Sequence, residues 1–174
     1  MKLKLLIVED DEEIRTQMKW ALAQDYEVLM AADRETAVNV FKANRPPVVL
    51  LDMGLPPHPG TPEVGLTTLS ELLSLDEAVK IVIVSGQGEK EVALKAIGAG
   101  AYDFLNKPVE IELVRLLLKR CFHVSTLERE YRAAQGSSLS PLTKKGSISL
   151  YSRIFTVGFL GALPWAIARN ACSD

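Results

Sequence analysis

The sequence lacks the features that mark secreted, metal-cluster and membrane proteins. Only two of its 174 residues are cysteines, Cys121 and Cys172, and they fit no metal or redox spacing. Its apolar runs are shorter than the roughly 18 residues that a membrane span needs. The N-terminus has only four consecutive apolar residues before two acids, too few for a signal-peptide core. These absences predict a soluble protein of the cytoplasm without a membrane partner.

The sequence also lacks a strong net charge. Its formal net charge of −2 argues against a chain that coats nucleic acid by charge alone. The charge is uneven, since residues 1–130 carry 15 bases and 21 acids, whereas residues 131–174 carry five bases and one acid. Such a break predicts a boundary, and the Gly/Ser/Pro-rich stretch at 136–141 is typical of a linker.

Short apolar runs alternate with segments of helical periodicity. Strands are predicted at Leu3–Val8, Tyr26–Ala31, Val48–Leu51, Lys80–Ser85 and Tyr102–Leu105. Helices are predicted at Glu12–Gln24, Glu35–Asn44, around Leu66–Leu73, at Glu91–Ala99 and at Glu110–Arg132, with a Gly/Pro-rich loop from Gly54 to Gly65. Successive right-handed βα units predict an α/β fold with a doubly wound, five-stranded parallel sheet and an extended C-terminal helix.

Charged and hydroxyl side chains lie at the ends of the predicted strands. Glu9 and Asp10 follow the first strand, Asp52 the third and Lys107 the fifth, while Ser85 ends the fourth. We expect them to lie close together, because functional groups of doubly wound sheets collect at the carboxyl ends of the strands. Two carboxylates about 5 Å apart repel by roughly 3 kcal/mol at an effective dielectric of about 20. A hard cation such as Mg²⁺ relieves that repulsion.

The same side chains predict a reaction. A cation and Lys107 would attract a phosphoryl group, and a carboxylate beside them can act as its nucleophile. The Ser85 hydroxyl can donate to a phosphoryl oxygen, and Gly86 leaves room for the group to enter. The residues therefore predict metal-assisted phosphoryl transfer onto an aspartate.

Four motifs carry a resemblance to a known family. In order they are Leu-Leu-Ile-Val-Glu9-Asp10-Asp11, Val-Val-Leu-Leu-Asp52-Met-Gly-Leu-Pro56, Ile-Val-Ile-Val-Ser85-Gly86 and Gly-Ala-Tyr-Asp-Phe104-Leu-Asn-Lys107-Pro108. Each motif alone is weak evidence for the family, but all four motifs in this order are highly specific for it. Residues 3 to about 125 resemble the receiver domain of two-component response regulators, whose fold is flavodoxin-like.

The resemblance implies a role for each motif residue. It implies Asp52 as phospho-acceptor and a Mg²⁺ site formed by Glu9, Asp10, Asp52 and the backbone carbonyl of Gly54. It also implies three further roles: Lys107 as ion-pair partner of the phosphoryl group, Ser85 as switch hydroxyl and Phe104 as switch aromatic. The peptide bond after Lys107 is commonly cis in this family.

The resemblance also implies partners. A cognate histidine kinase would donate the phosphoryl group. Phosphorylation would then alter the face formed by the fourth helix, fifth strand and fifth helix to control a transcriptional output. The domain would catalyse its own phosphorylation and dephosphorylation as a switch, not as a metabolic enzyme.

The loop after Asp52 departs from the usual family pattern. Residues 57–64 intervene before Gly65, which is an insertion beside the predicted metal site. This longer loop resembles the receivers of sigma-54-dependent transcriptional regulators tied to PEP-CTERM exopolysaccharide systems. Those proteins continue into an ATPase domain and a helix-turn-helix. Because the remaining residues are too few for either and no P-loop motif is present, we expect no direct DNA binding by this chain.

Two other functions fit parts of the pattern. A haloacid-dehalogenase-type phosphatase also forms an aspartyl phosphate, but it needs a second aspartate where this sequence has Gly54. A constitutive pseudo-receiver would act as an interaction module without phosphorylation, and the complete set of acids with Lys107 argues against it.

The last predicted helix continues beyond the usual family end near Phe122. An apolar seam with spacings of three and four runs along it, with one basic flaw: Leu113, Leu117, Arg120, Val124, Leu127 and Tyr131. The seam predicts a weak parallel homodimer. The alternative is that the stripe folds back on its own domain or frays.

We expect three segments along the chain: a receiver domain at residues 1–125, a helical extension or linker at 126–135 and an unassigned tail at 136–174. The tail resembles nothing in the family at this position. A truncated or altered reading frame, or an artificial end, is the leading interpretation of the tail, and a small partner-binding segment is the second.

Overall fold

The structure is a computed structural model that describes residues 2–58, 61–86 and 90–136. Most of the predicted tail therefore lies outside the described residues. Strands and helices alternate along the chain. The strands are β1 (Leu3–Val8), β2 (Tyr26–Ala31), β3 (Val48–Asp52), β4 (Lys80–Ser85) and β5 (Asp103–Asn106). The helices are α1 (Glu12–Leu22), α2 (Arg34–Asn44), α3 (Glu63–Leu75), α4 (Lys90–Gly98) and α5 (Ile111–Gly136).

The strands form one parallel sheet in the order β2-β1-β3-β4-β5. The chain starts at β1, adds β2 on one side and then crosses to β3 on the other. The strand order therefore reverses between β1 and β3, and a crevice is expected at their carboxyl ends. The predicted doubly wound, five-stranded α/β fold with an extended C-terminal helix is confirmed.

Apolar layers cover both faces of the sheet. β3 and β4 are buried at every position, as expected for central parallel strands with helices on both sides. Phe41, Leu69 and Leu72 lead the cluster on one face, and Met18 and Leu118 belong to the cluster on the other. Among the helices of the described ranges, none is long and apolar enough to cross a bilayer.

The start of α3 differs from the prediction. The predicted loop extends to Gly65, but α3 begins at Glu63, and the Leu66 amide donates to the Pro62 carbonyl at 2.9 Å. Gly65 thus lies in the first helical turn, against the end of β3. A Cβ atom there would lie 2.7 Å from the Cα of Met53. This close approach requires glycine and brings α3 against the residues that follow Asp52.

The predicted seam on α5 also needs correction. Leu117 is buried in the core, with 6% of its surface exposed, whereas Leu116 is 61% exposed. Residue 117 faces the sheet because it lies on the same side of the helix as Val114 and Cys121, which are also buried. The exposed apolar stripe therefore consists of Leu113, Leu116, Leu127 and Tyr131.

The distal part of α5 is bound to the amino end of β4. Lys80, the first residue of β4, places Nζ 2.7 Å from Oε2 of Glu128, and its ammonium lies 5.8 Å from the centre of the Tyr102 ring. Arg129, the residue after Glu128, places Nη2 3.7 Å from Oδ2 of Asp76. Residues of the predicted extension thus contact the sheet and the end of α3. The predicted boundary at residue 125 stays a prediction.

Candidate functional site

The ends of β1 and β3 bring the predicted acids together. Val8 pairs with Leu51 in the parallel register, so the residues that follow them, Glu9 and Asp52, lie side by side. One carboxylate oxygen from each of Glu9, Asp10 and Asp52 lies within 4.8 Å of the other two. Glu9 and Asp52 are buried, whereas Asp10 is exposed to water. The three acids thus form a cluster with one open side.

Lys107 reaches this cluster from the loop after β5. Its Nζ lies 2.9 Å from Oε1 of Glu9 and 3.2 Å from Oδ1 of Asp52. The Lys107 amide donates to the Ser85 carbonyl at 2.7 Å, so the loop is tied to the end of β4. The Lys107–Pro108 peptide bond is cis, as the resemblance implied. One ammonium group among three carboxylates leaves the cluster negatively charged.

Burial dominates the electrostatics of the two inner acids. Loss of hydration raises the pKa of Asp52 and of Glu9 above their ordinary values, and Lys107 opposes both shifts. For Lys107, burial works to lower the pKa, but its hydrogen bond to Glu9 and the nearby carboxylate charges raise it overall. Lys107 is therefore a cation at neutral pH, and the acids are held where a further cation would stabilise their charged forms.

The donor set fits Mg²⁺. Mg²⁺ favours oxygen ligands and usually keeps several waters while binding one or two carboxylates. Here the carboxylates of Glu9, Asp10 and Asp52 converge, and the exposure of Asp10 leaves room for water. Gly54, whose carbonyl the resemblance implies as a further ligand, is half-buried in the loop directly after β3.

Ser85 stands next to this cluster at the end of β4. β3 and β4 pair Asp52 with Val84, which puts Ser85 beside the acceptor strand. Its side chain is 1% exposed, and its Oγ has no hydrogen-bond partner within the described residues. Buried hydroxyl groups nearly always have a partner.

Phe104 occupies the neighbouring edge strand. It pairs with Ile83 in the β4–β5 register, and it is partly buried against the core cluster that includes Ala96 and Ala101. The structure thus puts Phe104 on the strand beside Ser85, with its ring packed on the side of α4.

Two residues near the acids have roles that the sequence did not reveal. Asp11 caps α1, because its side chain accepts from the amides of Glu13 and Ile14 at 2.8 and 3.0 Å. Arg15 places Nη1 2.6 Å from the Glu9 carbonyl oxygen and 3.1 Å from that of Asp10. A signal exists in retrospect, since side chains in a first helical turn point back towards the preceding loop.

Comparisons with known proteins agree with this geometry. The sequence profile of the response regulator receiver domain matches residues 5–119. The regulatory protein AtoC of Escherichia coli is 28% identical over 130 residues, which cover 74% of this chain and 27% of AtoC. The chemotaxis protein CheY of Listeria monocytogenes is 32% identical over 120 residues, which cover 68% of this chain and 97% of CheY.

A solved structure gives the same picture. The crystal structure of the receiver domain of NtrX from Brucella abortus matches with a TM-score of 0.63 and 31% identity, covering 68% of this chain and 98% of that chain. The match to the larger regulators is partial, since this chain spans only 27% of AtoC and 49% of KdpE from Staphylococcus aureus.

Proposed function

This chain belongs to the response regulator receiver domain family, and on that premise we propose that it accepts a phosphoryl group from a histidine kinase onto Asp52. The observation that carries the proposal is the position of the Asp52 carboxylate. It is buried, lies 3.2 Å from the Lys107 ammonium, and clusters with the oxygens of Glu9 and Asp10. In this setting the Lys107 ammonium can attract the incoming phosphoryl group. Asp52 is the last residue of β3, and its backbone is therefore fixed by the sheet.

The proposed reaction is a transfer between two protein groups. An oxygen of Asp52 attacks phosphorus, a bond forms between them, and the bond from phosphorus to the kinase histidine nitrogen breaks. Glu9, Asp10, Asp52 and the Gly54 carbonyl would hold Mg²⁺, which when bound neutralises charge on the phosphoryl oxygens. Lys107 would pair with the phosphoryl group once Asp52 carries it.

We further propose that Ser85 and Phe104 form the switch. The Ser85 hydroxyl, without a partner in the described part of the chain, would donate to a phosphoryl oxygen. Its movement would free space for the Phe104 ring and shift the population between two packings of the face formed by α4, β5 and α5. The transcriptional output, the histidine kinase partner and a cytoplasmic location belong to the same proposal.

The switch has its own test. Ser85→Ala should leave Asp52 able to accept a phosphoryl group but should weaken the conformational response, because the hydroxyl donor is gone. Amide NMR spectra recorded before and after phosphorylation would measure that response. Identical spectral changes in Ser85→Ala and the natural protein would contradict this coupling.

The acceptor assignment is tested by labelling. Incubation of the full chain with a small phosphodonor and Mg²⁺ should add one phosphoryl group, detected by intact mass, and chelation of the metal should prevent it. Asp52→Asn should abolish the addition. Asp11→Asn is the matched control, since this neighbouring aspartate caps α1 and asparagine caps equally well.

Two outcomes would overturn the assignment. Undiminished labelling of Asp52→Asn would place the acceptor elsewhere. Absence of labelling in the natural protein, combined with binding of a partner that does not depend on phosphorylation, would favour the pseudo-receiver. The phosphatase alternative is disfavoured by Gly54, which stands where that mechanism needs an aspartate.

A further inference from the structure

The turn between β1 and α1 carries two of the three clustered carboxylates. Its backbone is tied at two points. The Glu9 amide donates to the Ala31 carbonyl of β2 at 3.1 Å, and the Asp11 carbonyl accepts the first helical hydrogen bond, from the Arg15 amide, at 2.9 Å. The carbonyl groups of Glu9 and Asp10 lie between these ties and precede the helix, so the helical hydrogen bonds do not engage them.

Arg15 supplies the donor for both carbonyl groups. A single nitrogen, Nη1, donates to the Glu9 oxygen at 2.6 Å and to the Asp10 oxygen at 3.1 Å. The side chain is half-buried, and hydrogen bonds from a charged donor are shorter and stronger than neutral ones. The contact is with the backbone of the two acids, so it does not occupy their carboxylate oxygens, one of which accepts from Lys107.

We propose that Arg15 is a positioning residue for the Mg²⁺ site: by holding the carbonyl groups of Glu9 and Asp10, it fixes the turn in the conformation that directs both carboxylates at Asp52. This inference rests on the proposed function, because it assigns a further residue to the same site. Partners that orient metal ligands typically change metal affinity by about ten- to a hundredfold when removed.

The charge of Arg15 would act in the opposite direction. A guanidinium beside a cation site repels the cation, so loss of the charge alone should make Mg²⁺ bind more tightly. Loss of the two hydrogen bonds should make it bind more weakly, because the carboxylates would no longer be held in place. The two effects have opposite signs, so the direction of the change decides between them.

The test measures Mg²⁺ binding without any phosphodonor, by isothermal titration calorimetry on the full chain. Arg15→Met should weaken binding by about tenfold. Arg15→Lys, which keeps a charged nitrogen that can donate to both carbonyls, should restore most of the affinity. Lys19→Met is the matched control, since it removes a positive charge from the same helix without touching the turn, and its affinity should be unchanged or slightly higher.

A second readout separates positioning from general damage. At saturating Mg²⁺, the maximal rate of phosphorylation of Arg15→Met should return close to that of the natural protein, while the Mg²⁺ concentration for half-maximal rate stays raised. If Arg15→Met folds poorly, Arg15→Gln takes its place, because its shorter side chain cannot reach both carbonyls.

Each result has a clear meaning. Equal or tighter Mg²⁺ binding by Arg15→Met, or by Arg15→Gln in its place, would overturn the positioning role. Failure of Arg15→Lys to restore affinity would do the same. If the natural protein itself bound no Mg²⁺, the proposed function would fail, and this inference with it.

Discussion

Asp52 lies in surroundings that favour the neutral form of its carboxyl group. Burial raises its pKa above the ordinary value of 3.8, and Lys107 only partly opposes that effect. An acid with a raised pKa in the folded state binds more protons folded than unfolded. Stability therefore falls as pH rises from the ordinary value through the raised one. In the absence of a cation, the Asp52 charge should destabilise the fold at neutral pH.

We therefore expect Asp52→Asn to raise the unfolding temperature in Mg²⁺-free buffer. The gain should be a few degrees at neutral pH, since about 1 kcal/mol corresponds to roughly 2–4 °C in a protein of this size. The gain should shrink as pH falls towards 3.8, where the natural side chain is itself partly neutral. Thermal unfolding followed by circular dichroism across this pH range would measure the difference.

Asp11→Asn is the control, because this exposed aspartate lies outside the acid cluster. The unfolding temperature of Asp11→Asn should not rise at neutral pH relative to that of the natural protein. An Asp52→Asn protein that is no more stable than the natural one at neutral pH would show that Lys107 fully compensates the buried charge.

The sequence predicted that Glu9, Asp52 and Lys107 lie close together, because the carboxyl ends of parallel strands lie at one edge of the sheet. It did not predict the contact of Arg15 with the turn. That contact depends on the rotamer of a long side chain, which neither periodicity nor spacing determines.

Helix α5 continues past the predicted domain boundary at residue 125, to Gly136. Lys80 is only 10% exposed at its side chain, and Glu128 is its partner at 2.7 Å. A lysine in such a position is stable as a cation only with a partner, because a buried charge without one is strongly unfavourable. The pair therefore binds the distal part of α5 to the sheet.

We expect Glu128→Gln to loosen the end of α5 and to lower stability by about 1–2 kcal/mol, less than for a fully buried pair because Glu128 is 38% exposed. Hydrogen exchange should become faster in residues 123–136 while β1 and β3 keep their protection. Glu130→Gln is the control, since this glutamate is exposed two residues further along the same helix. Equal exchange in both variants would mean that the ion pair does not hold the helix.

Most strands and helices were predictable because their apolar residues are spaced differently. The strands have continuous apolar runs, whereas the helices have apolar residues three to four positions apart. The start of α3 was not, because glycine and proline suggest a loop, while here Gly65 permits close packing against Met53. The inward position of Leu117 was missed for a related reason. Leu116 and Leu117 are both apolar, so the sequence alone does not show which of them faces the sheet. That choice depends on how α5 packs against the sheet.

For the whole molecule, the exposed stripe on α5 suggests self-association. Leu113, Leu116, Leu127 and Tyr131 are 49%, 61%, 50% and 58% exposed, and they follow one side of a helix whose other side packs on the sheet. Burial of such side chains contributes about 1.5–3 kcal/mol each before the cost of association. We expect a weak parallel dimer through this stripe.

Sedimentation at tens of micromolar would measure the dimer. Leu127→Glu should shift the protein to the monomer, because it puts a charge in the middle of the stripe. Leu3→Glu is the control, since Leu3 is equally exposed, at 50%, on a different surface. A natural protein that sediments as a monomer, with or without phosphorylation, would rule the dimer out.

The fold class and the family were predictable from four motifs in order, because each motif ends a different strand of one sheet. The assignment to the PEP-CTERM-associated subgroup stays a prediction. So does the role of the tail at 136–174, since it lies almost wholly outside the described residues.

The ion pair between Lys107 and Glu9 joins residues 98 positions apart in the chain. On a ribosome, Glu9 leaves the exit tunnel long before Lys107 is made, and β4 and β5 must both join the sheet before the pair can form. Contacts of such long sequence separation are among the slow steps of folding. Until then the clustered acids have no lysine to offset their repulsion. A divalent cation held by these carboxylates would offset that repulsion before Lys107 is in place.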